Sequence, residues 1–201
     1  MMNGKRLIVG ISGASGVAIG VRVLEMLAAS DVEAHLVMTR AAEMTIGYET
    51  GRKPADVRAL AHTVYQVDDV GAALASGSFA TMGMIVAPCS MRTLAEIATG
   101  VTSNLLTRAA DVTLKERRRL ALVARETPLH LGHLRNMVAV TEMGAVVAPP
   151  VPAFYAGLET LDEVVTQSAG RALDLFGIAA PGVKRWGEDL AKGRRKGGRA
   201  D

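Results

Sequence analysis

The 201-residue chain holds one cysteine, one tryptophan, three tyrosines and three phenylalanines. A lone thiol, Cys89, excludes an internal disulfide and fits a reducing compartment. With aromatics at 3%, platforms for stacking nucleobases are scarce. No apolar run reaches the roughly 18 residues that a membrane span needs. The opening MMNGKR leads into an apolar stretch that glycines and serine break at once, without a cleavage-site pattern, so no signal peptide is expected and the chain reads as cytoplasmic. Charged residues are few, 21% against 49% hydrophobic, and the net charge is +3. Five of the 23 basic residues fall in the last ten, KGRRKGGRAD, so the basic excess sits in what reads as a solvated, disordered tail. A nucleic-acid arm is the sharper reading of that tail, but no basic patch joined to aromatics elsewhere supports it.

What is present begins with GISGASG, residues 10–16, between an apolar strand (Arg6 to Ser12) and a helix (from about Val17 to Ala29). Glycine serves such a turn by allowing positive φ, by letting backbone touch a ligand, or by permitting tight helix–strand packing. The amides of Ala14 to Val17 then open a helix whose positive end attracts an anion. The spacing is G-x-x-G-x-x-G rather than the dinucleotide fingerprint G-x-G-x-x-G. The second strand, Glu33 to Thr39, ends in Thr39 and Arg40, where a nicotinamide site wants an acid for the ribose. A hydroxyl and a cation suit a phosphate, which favours a mononucleotide, with an NADP-type site and a merely tight turn as rivals.

Strands and helices alternate along the rest. Helices are expected over Ala41 to Glu49 and from near Ala55, followed by the glycine- and serine-rich ASGSFAT (Ala75 to Thr81). A third strand spans Gly83 to Cys89, and helices follow over Met91 to Ala98 and Asn104 to Arg117. A fourth strand spans Arg119 to Glu126, a helix Leu131 to Met143, and a fifth strand Ala145 to Pro149. The proline-rich PPVPAFYAG precedes a last helix, Leu161 to Phe176. This alternation predicts one α/β domain over residues 1–178, a doubly wound, mostly parallel, Rossmann-like sheet, with 179–201 as a C-terminal extension. In such sheets ligands bind beyond the carboxyl ends of the strands. Ser12, Ser15, Thr39, Cys89, Ser90, Arg125, Glu126 and the loop with Tyr155 therefore carry the interest.

Arg125 can fork onto a phosphate while Glu126 moves a proton; an ion pair capping the sheet edge is the alternative. Arg108 and Lys115 lie seven residues apart, two turns along one helical face, and two cations there suit an anion. Arg117 to Arg119 read as solvated charge. Cys89 reads as a small buried hydrophobe in preference to a nucleophile, and Ser90, opening a helix, as the better ligand. His130 and His133 have a metal-compatible spacing but lack a third ligand. Glu49, on its own, reads as a helix-end charge.

Together the stretches VGISGASG, HLVMTRAA, YET with Glu49, SGSF, PCSMRTLAEIATG, LLTRAADVTLKERR, LVARETPLHLGHLRNM, GAVVAPPVPAFY and LDLFGI resemble the UbiX-type flavin prenyltransferases, also known as small subunits of phenolic acid decarboxylase systems. The resemblance runs from about Arg6 to Trp186. It implies a flavoprotein fold and an enzyme that uses no metal, joins the dimethylallyl group of dimethylallyl phosphate to reduced FMN and delivers prenylated FMN to a UbiD-type decarboxylase. It also implies a homo-dodecamer. By position, Gly13, Ala14 and Ser15 would lie against the flavin, with Ser15 near N5. Thr39 and Arg108 would join the cofactor site, which Ser90, Met91, Arg92, Thr93 and Arg125 complete. Lys115, Arg125, Glu126, Tyr155 and Arg171 would bind the substrate phosphate across a subunit boundary. Ser15, Glu49, Lys115 and Glu126 are the implied catalytic residues, with Glu49 orienting Ser15. Ile19 stands where many relatives have an aromatic. An FMN-dependent cysteine decarboxylase and a non-catalytic flavin carrier are the competing readings. PCSMRT departs from the PxSANT-like segment of the former, and His35 and His62 sit in no context that matches its catalytic histidine.

Overall fold

A computed structural model describes residues 5–187. Six strands form one parallel sheet: β1 (Lys5–Ile11), β2 (Val32–Met38), β3 (Thr63–Tyr65), β4 (Gly83–Cys89), β5 (Arg119–Ala124) and β6 (Val146–Val147). Their order is β3-β2-β1-β4-β5-β6. Seven helices connect and cover them: α1 (Val17–Ala28), α2 (Arg40–Thr50), α3 (Pro54–Arg58), α4 (Met91–Thr99), α5 (Leu105–Lys115), α6 (Leu131–Glu142) and α7 (Leu161–Asp174). The expected doubly wound architecture is present.

Side chains alternate across a strand, so β1 feeds both layers. Leu7, Val9 and Ile11 pack toward α1 and α7, whereas Ile8 packs with Met84 and Val86 of β4 toward α4 and α5. Every residue of β4 is buried, as a central strand covered on both faces requires. Helix α1 crosses β4 at Gly20, where a Cβ would stand 2.1 Å from the Ala87 carbonyl oxygen. Only glycine permits that approach.

The structure departs from the sequence reading at its margins. Edge strand β3 was not expected: TVY is three residues long and half exposed, too short for a periodic signal. Helix α5 stops at Lys115, and Arg117 then adopts a left-handed φ of 56° that turns the chain into β5. Strand β5 ends at Ala124 and β6 contains two residues, so Arg125 and Glu126 lie in a loop. Residues 179–187 lie on α7, with Ala180 and Val183 buried in the core. The basic tail KGRRKGGRAD lies outside the described residues, among which no helix is long and apolar enough to cross a membrane.

Candidate active site

Between β1 and β4 the connections run to opposite sides of the sheet, which opens a crevice at the strands' carboxyl ends. Buried Ser12 ties its two walls together, its hydroxyl donating to the Pro88 carbonyl at 2.9 Å and accepting the Ser90 amide at 2.8 Å. Ser12 is thus structural, whereas Ser15 of the same turn is exposed.

Gly16 holds φ 96° and ends the turn without a side-chain cap on α1. The cap comes from 33 residues onward: the Glu49 carboxylate accepts from the Gly16 amide at 2.8 Å and the Val17 amide at 3.1 Å. A carboxylate at a helix N-terminus meets both unpaired N–H groups and the positive end of the helix. This corrects the expectation that the opening of α1 receives a ligand's anion, because Glu49 fills that role at Gly16 and Val17. Glu49 makes no hydrogen bond to Ser15 and reaches only the two residues that follow it. Gly13 packs against α2, where its Cβ would fall 2.3 Å from that of Ala41, and buried Ile19 packs beneath the turn.

Two other helices begin at the same end of the sheet. Thr39 caps α2 by accepting the Ala42 amide, and Arg40 pairs with Asp68. Ser90 caps α4 by accepting the Thr93 amide at 3.2 Å and donates to the Thr93 hydroxyl. Met91 packs on the core, while exposed Arg92 pairs with Glu96. The Ser90 side chain covers only the Thr93 amide of the first turn, so the Met91 and Arg92 amides have no hydrogen-bond partner among the described residues. Cys89, fully buried below them, has its thiol pushed up to about 12 by burial. An unreactive packing role follows.

The implied phosphate-binding residues do not all meet within one chain, because Lys115 stands apart from the others. Arg125 and Glu126 form no ion pair with each other; the Glu126 carboxylate accepts the Thr127 amide at 2.9 Å. Tyr155 sits in a short turn, Phe154–Ala156, edge-on to the Trp186 ring at 5.5 Å. Arg171 on α7 pairs with Asp174 and lines a cavity beneath the proline-rich loop with Pro149 and Val151. Lys115 ends α5 at the opposite end of the sheet. Its ammonium contacts Glu116 at 2.5 Å beside Gly77, whose neighbour Phe79 lies under the Arg6 guanidinium near the start of β1. Arg108 faces the same segment, donating to the Ala75 carbonyl and pairing with Asp111. The common face expected for Arg108 and Lys115 is therefore present.

One further reading changes, and the place of the histidines is filled in. Arg118 donates to the carbonyls of Gly77 and Phe79, and Arg119 to that of Leu175, so these two are fasteners and not merely solvated charge. His130 caps α6, its Nδ1 accepting the Gly132 amide at 3.0 Å, and its ring stacks on that of His133. Among the described residues no three His, Cys, Asp or Glu side chains converge on a metal position. Sequence reasoning missed Gln167, Lys184 and Trp186, which fasten the Tyr155 turn; the only signal was the isolated tryptophan.

The profile of the flavoprotein family matches residues 1–173. The flavin prenyltransferase UbiX of Neisseria meningitidis serogroup B is 58% identical over 182 residues, 90% of this chain and 96% of that protein. A crystal structure of AnUbiX (PadA1) in complex with FMN and dimethylallyl pyrophosphate matches with TM-score 0.90 and 52% identity, covering 92% of this chain and 98% of that one. A dodecameric FMN-dependent UbiX-like decarboxylase from Escherichia coli O157:H7 matches with TM-score 0.89 and 49% identity, over 90% of this chain and 98% of that one. With the crevice, the capped turn and these likenesses in agreement, the chain belongs to the flavoprotein family and, within it, to the UbiX-type flavin prenyltransferases.

Proposed function

We propose that this protein joins the dimethylallyl group of dimethylallyl phosphate to N5 and C6 of reduced FMN and releases prenylated FMN for a UbiD-type decarboxylase. The likeness to a structure holding FMN and dimethylallyl pyrophosphate, at 52% identity over 92% of the chain, carries the reading. The residues present fit a flavin mononucleotide. Gly13 brings the turn against α2 with no side chain in the way, and the Met91 and Arg92 amides open α4 toward the crevice for a phosphate.

Bound reduced FMN supplies a nucleophilic N5 and C6 and an electron-rich face able to attract an allyl cation. The chain does the rest. The allylic carbon–oxygen bond must break, and phosphate leaves more readily when cations gather its charge and an acid delivers a proton to it. Arg125 and Arg171 supply charge, Tyr155 and Glu126 hydroxyl and carboxyl groups. Ser15 stands at the crevice where N5 would lie, steadied by Glu49 through Gly16 and Val17. Lys115 lies at the far end of the sheet and reaches a phosphate only in a neighbouring subunit. We therefore assign a homo-oligomer, a dodecamer by likeness to the E. coli structure, with substrate sites shared between chains. Residues 1–178 form the FMN-binding unit, residues 179–187 are packed onto it, and the free Cys89 suits a cytoplasmic setting.

The test is anaerobic incubation with FMN, dithionite and dimethylallyl phosphate, followed by mass spectrometry of the released flavin. The expected product is a flavin heavier by one dimethylallyl unit, formed in excess over protein. Unmodified, tightly held FMN would favour the carrier, and carbon dioxide release from cysteinyl substrates the cysteine decarboxylase.

A further inference from the structure

Residues 183–186 form a strap across α7, tied through Lys184, Arg185 and Trp186. Gln167 is almost fully buried and uses both ends of its amide on one residue: Nε2 donates to the Lys184 carbonyl and Oε1 accepts the Lys184 amide, each at 2.9 Å. Gly170 makes room one turn below, since its Cβ would stand 2.0 Å from a Val183 methyl. Lys184, so anchored, extends its ammonium to the Ala156 carbonyl at 2.8 Å. That carbonyl closes the turn carrying Tyr155, whose ring meets Trp186.

The strap also reaches Arg171. Asp174 takes Arg171 on one carboxylate oxygen and Arg185 on the other, both at 2.6 Å. One short segment therefore touches the support of both Tyr155 and Arg171, and Gln167 lies one helical turn from Arg171 on the same cavity wall.

We infer that Gln167 and Lys184 are positioning residues, which set the Tyr155 turn at a fixed distance from Arg171 and so preorganise the binding of the phosphate substrate; this rests on the reaction proposed above. A turn in a proline-rich loop has little packing of its own. The Lys184–Ala156 bond supplies the missing restraint, and two partners held in place bind a phosphate without first losing their freedom.

The test is Lys184→Met, which keeps the aliphatic stem and removes the donor, with Lys184→Arg as the conservative rescue and Gln167→Glu as a second probe that disturbs the anchor. The purified protein is read for FMN affinity, for kcat and KM for dimethylallyl phosphate separately, for melting temperature, and for the fluorescence anisotropy of the chain's single tryptophan. We expect unchanged FMN affinity, a KM raised about tenfold, a smaller fall in kcat, lower fluorescence anisotropy of the exposed Trp186, and recovery of most of the KM in Lys184→Arg. Unchanged KM in Lys184→Met overturns the inference, as does a loss of FMN affinity and melting temperature in step with KM. A wild-type protein that forms no prenylated flavin sinks the proposed function instead; the strap then stands or falls on the Trp186 anisotropy alone.

Discussion

The Glu49 carboxylate lies 2.8 Å from the Gly16 amide, so the end of α2 closes the beginning of α1 across the mouth of the crevice. The glycine that makes the turn possible has no side chain with which to cap its helix. A charge from another element performs that task.

Glu49→Gln keeps an acceptor oxygen but removes the charge, so about 0.3–1 kcal/mol of helix-end stabilisation is expected to go. Prenylated flavin should form much more slowly while FMN stays bound, and stopped-flow product formation beside an FMN titration separates the two. Loss of FMN would show that Glu49 holds cofactor in place of the turn.

Lys115 and Glu126 flank β5 at opposite ends, and six residues at roughly 3.3 Å each hold them far apart in one chain. Lys115→Ala and Glu126→Gln should each be nearly inactive, yet co-expressed as mixed oligomers they should regain a fraction of wild-type turnover, because some shared sites receive both intact residues. No recovery in mass-spectrometrically verified mixed oligomers would place the two residues' work elsewhere.

Ser12→Ala removes a buried hydroxyl that serves the Pro88 carbonyl and the Ser90 amide. Leaving that amide unpaired costs about 1–3 kcal/mol. In a domain of this size the melting temperature should fall by about 2–10 °C in scanning calorimetry. A change within error would mean that water replaces the hydroxyl.

Burial raises the Cys89 thiol from an ordinary 9.0 to about 12. Below about pH 9 the thiol is protonated in both states and its contribution is complete. As pH rises toward 12 the unfolded chain loses its proton first, so stability falls. Cys89→Ala should lose that alkaline component in melting curves collected against pH. In the wild type, a disulfide reagent at pH 8 should react only after denaturant unfolds the protein, and fast labelling of the folded protein would refute the burial argument.

Much of this was legible in the chain. Continuous apolar runs such as GMIVAPC announce strands covered on both faces, and glycines between a strand and a helix announce a turn. The resemblance supplied the proposed site residues from Gly13 to Arg171. Where the reading went astray, the interactions were remote in sequence. Glu49 looked like an ordinary helix-end charge, because nothing near Tyr48 shows that Gly16 lies beside it. Arg118 looked solvated, because the carbonyls of Gly77 and Phe79 that it serves are some forty positions away. Edge strand β3, at three residues, is defined by its hydrogen bonds to β2 and carries no period of its own.

The sequence by itself determined the α/β alternation, the crevice end of the sheet and the family, since these depend on local pattern and on motifs kept in order. Tertiary structure alone decided which groups meet: Glu49 with the start of α1, Gln167 with Lys184, and Lys115 apart from Glu126. Hydrogen bonds and ion pairs act over about 3 Å of space, whatever the distance along the chain, and only folding converts one into the other.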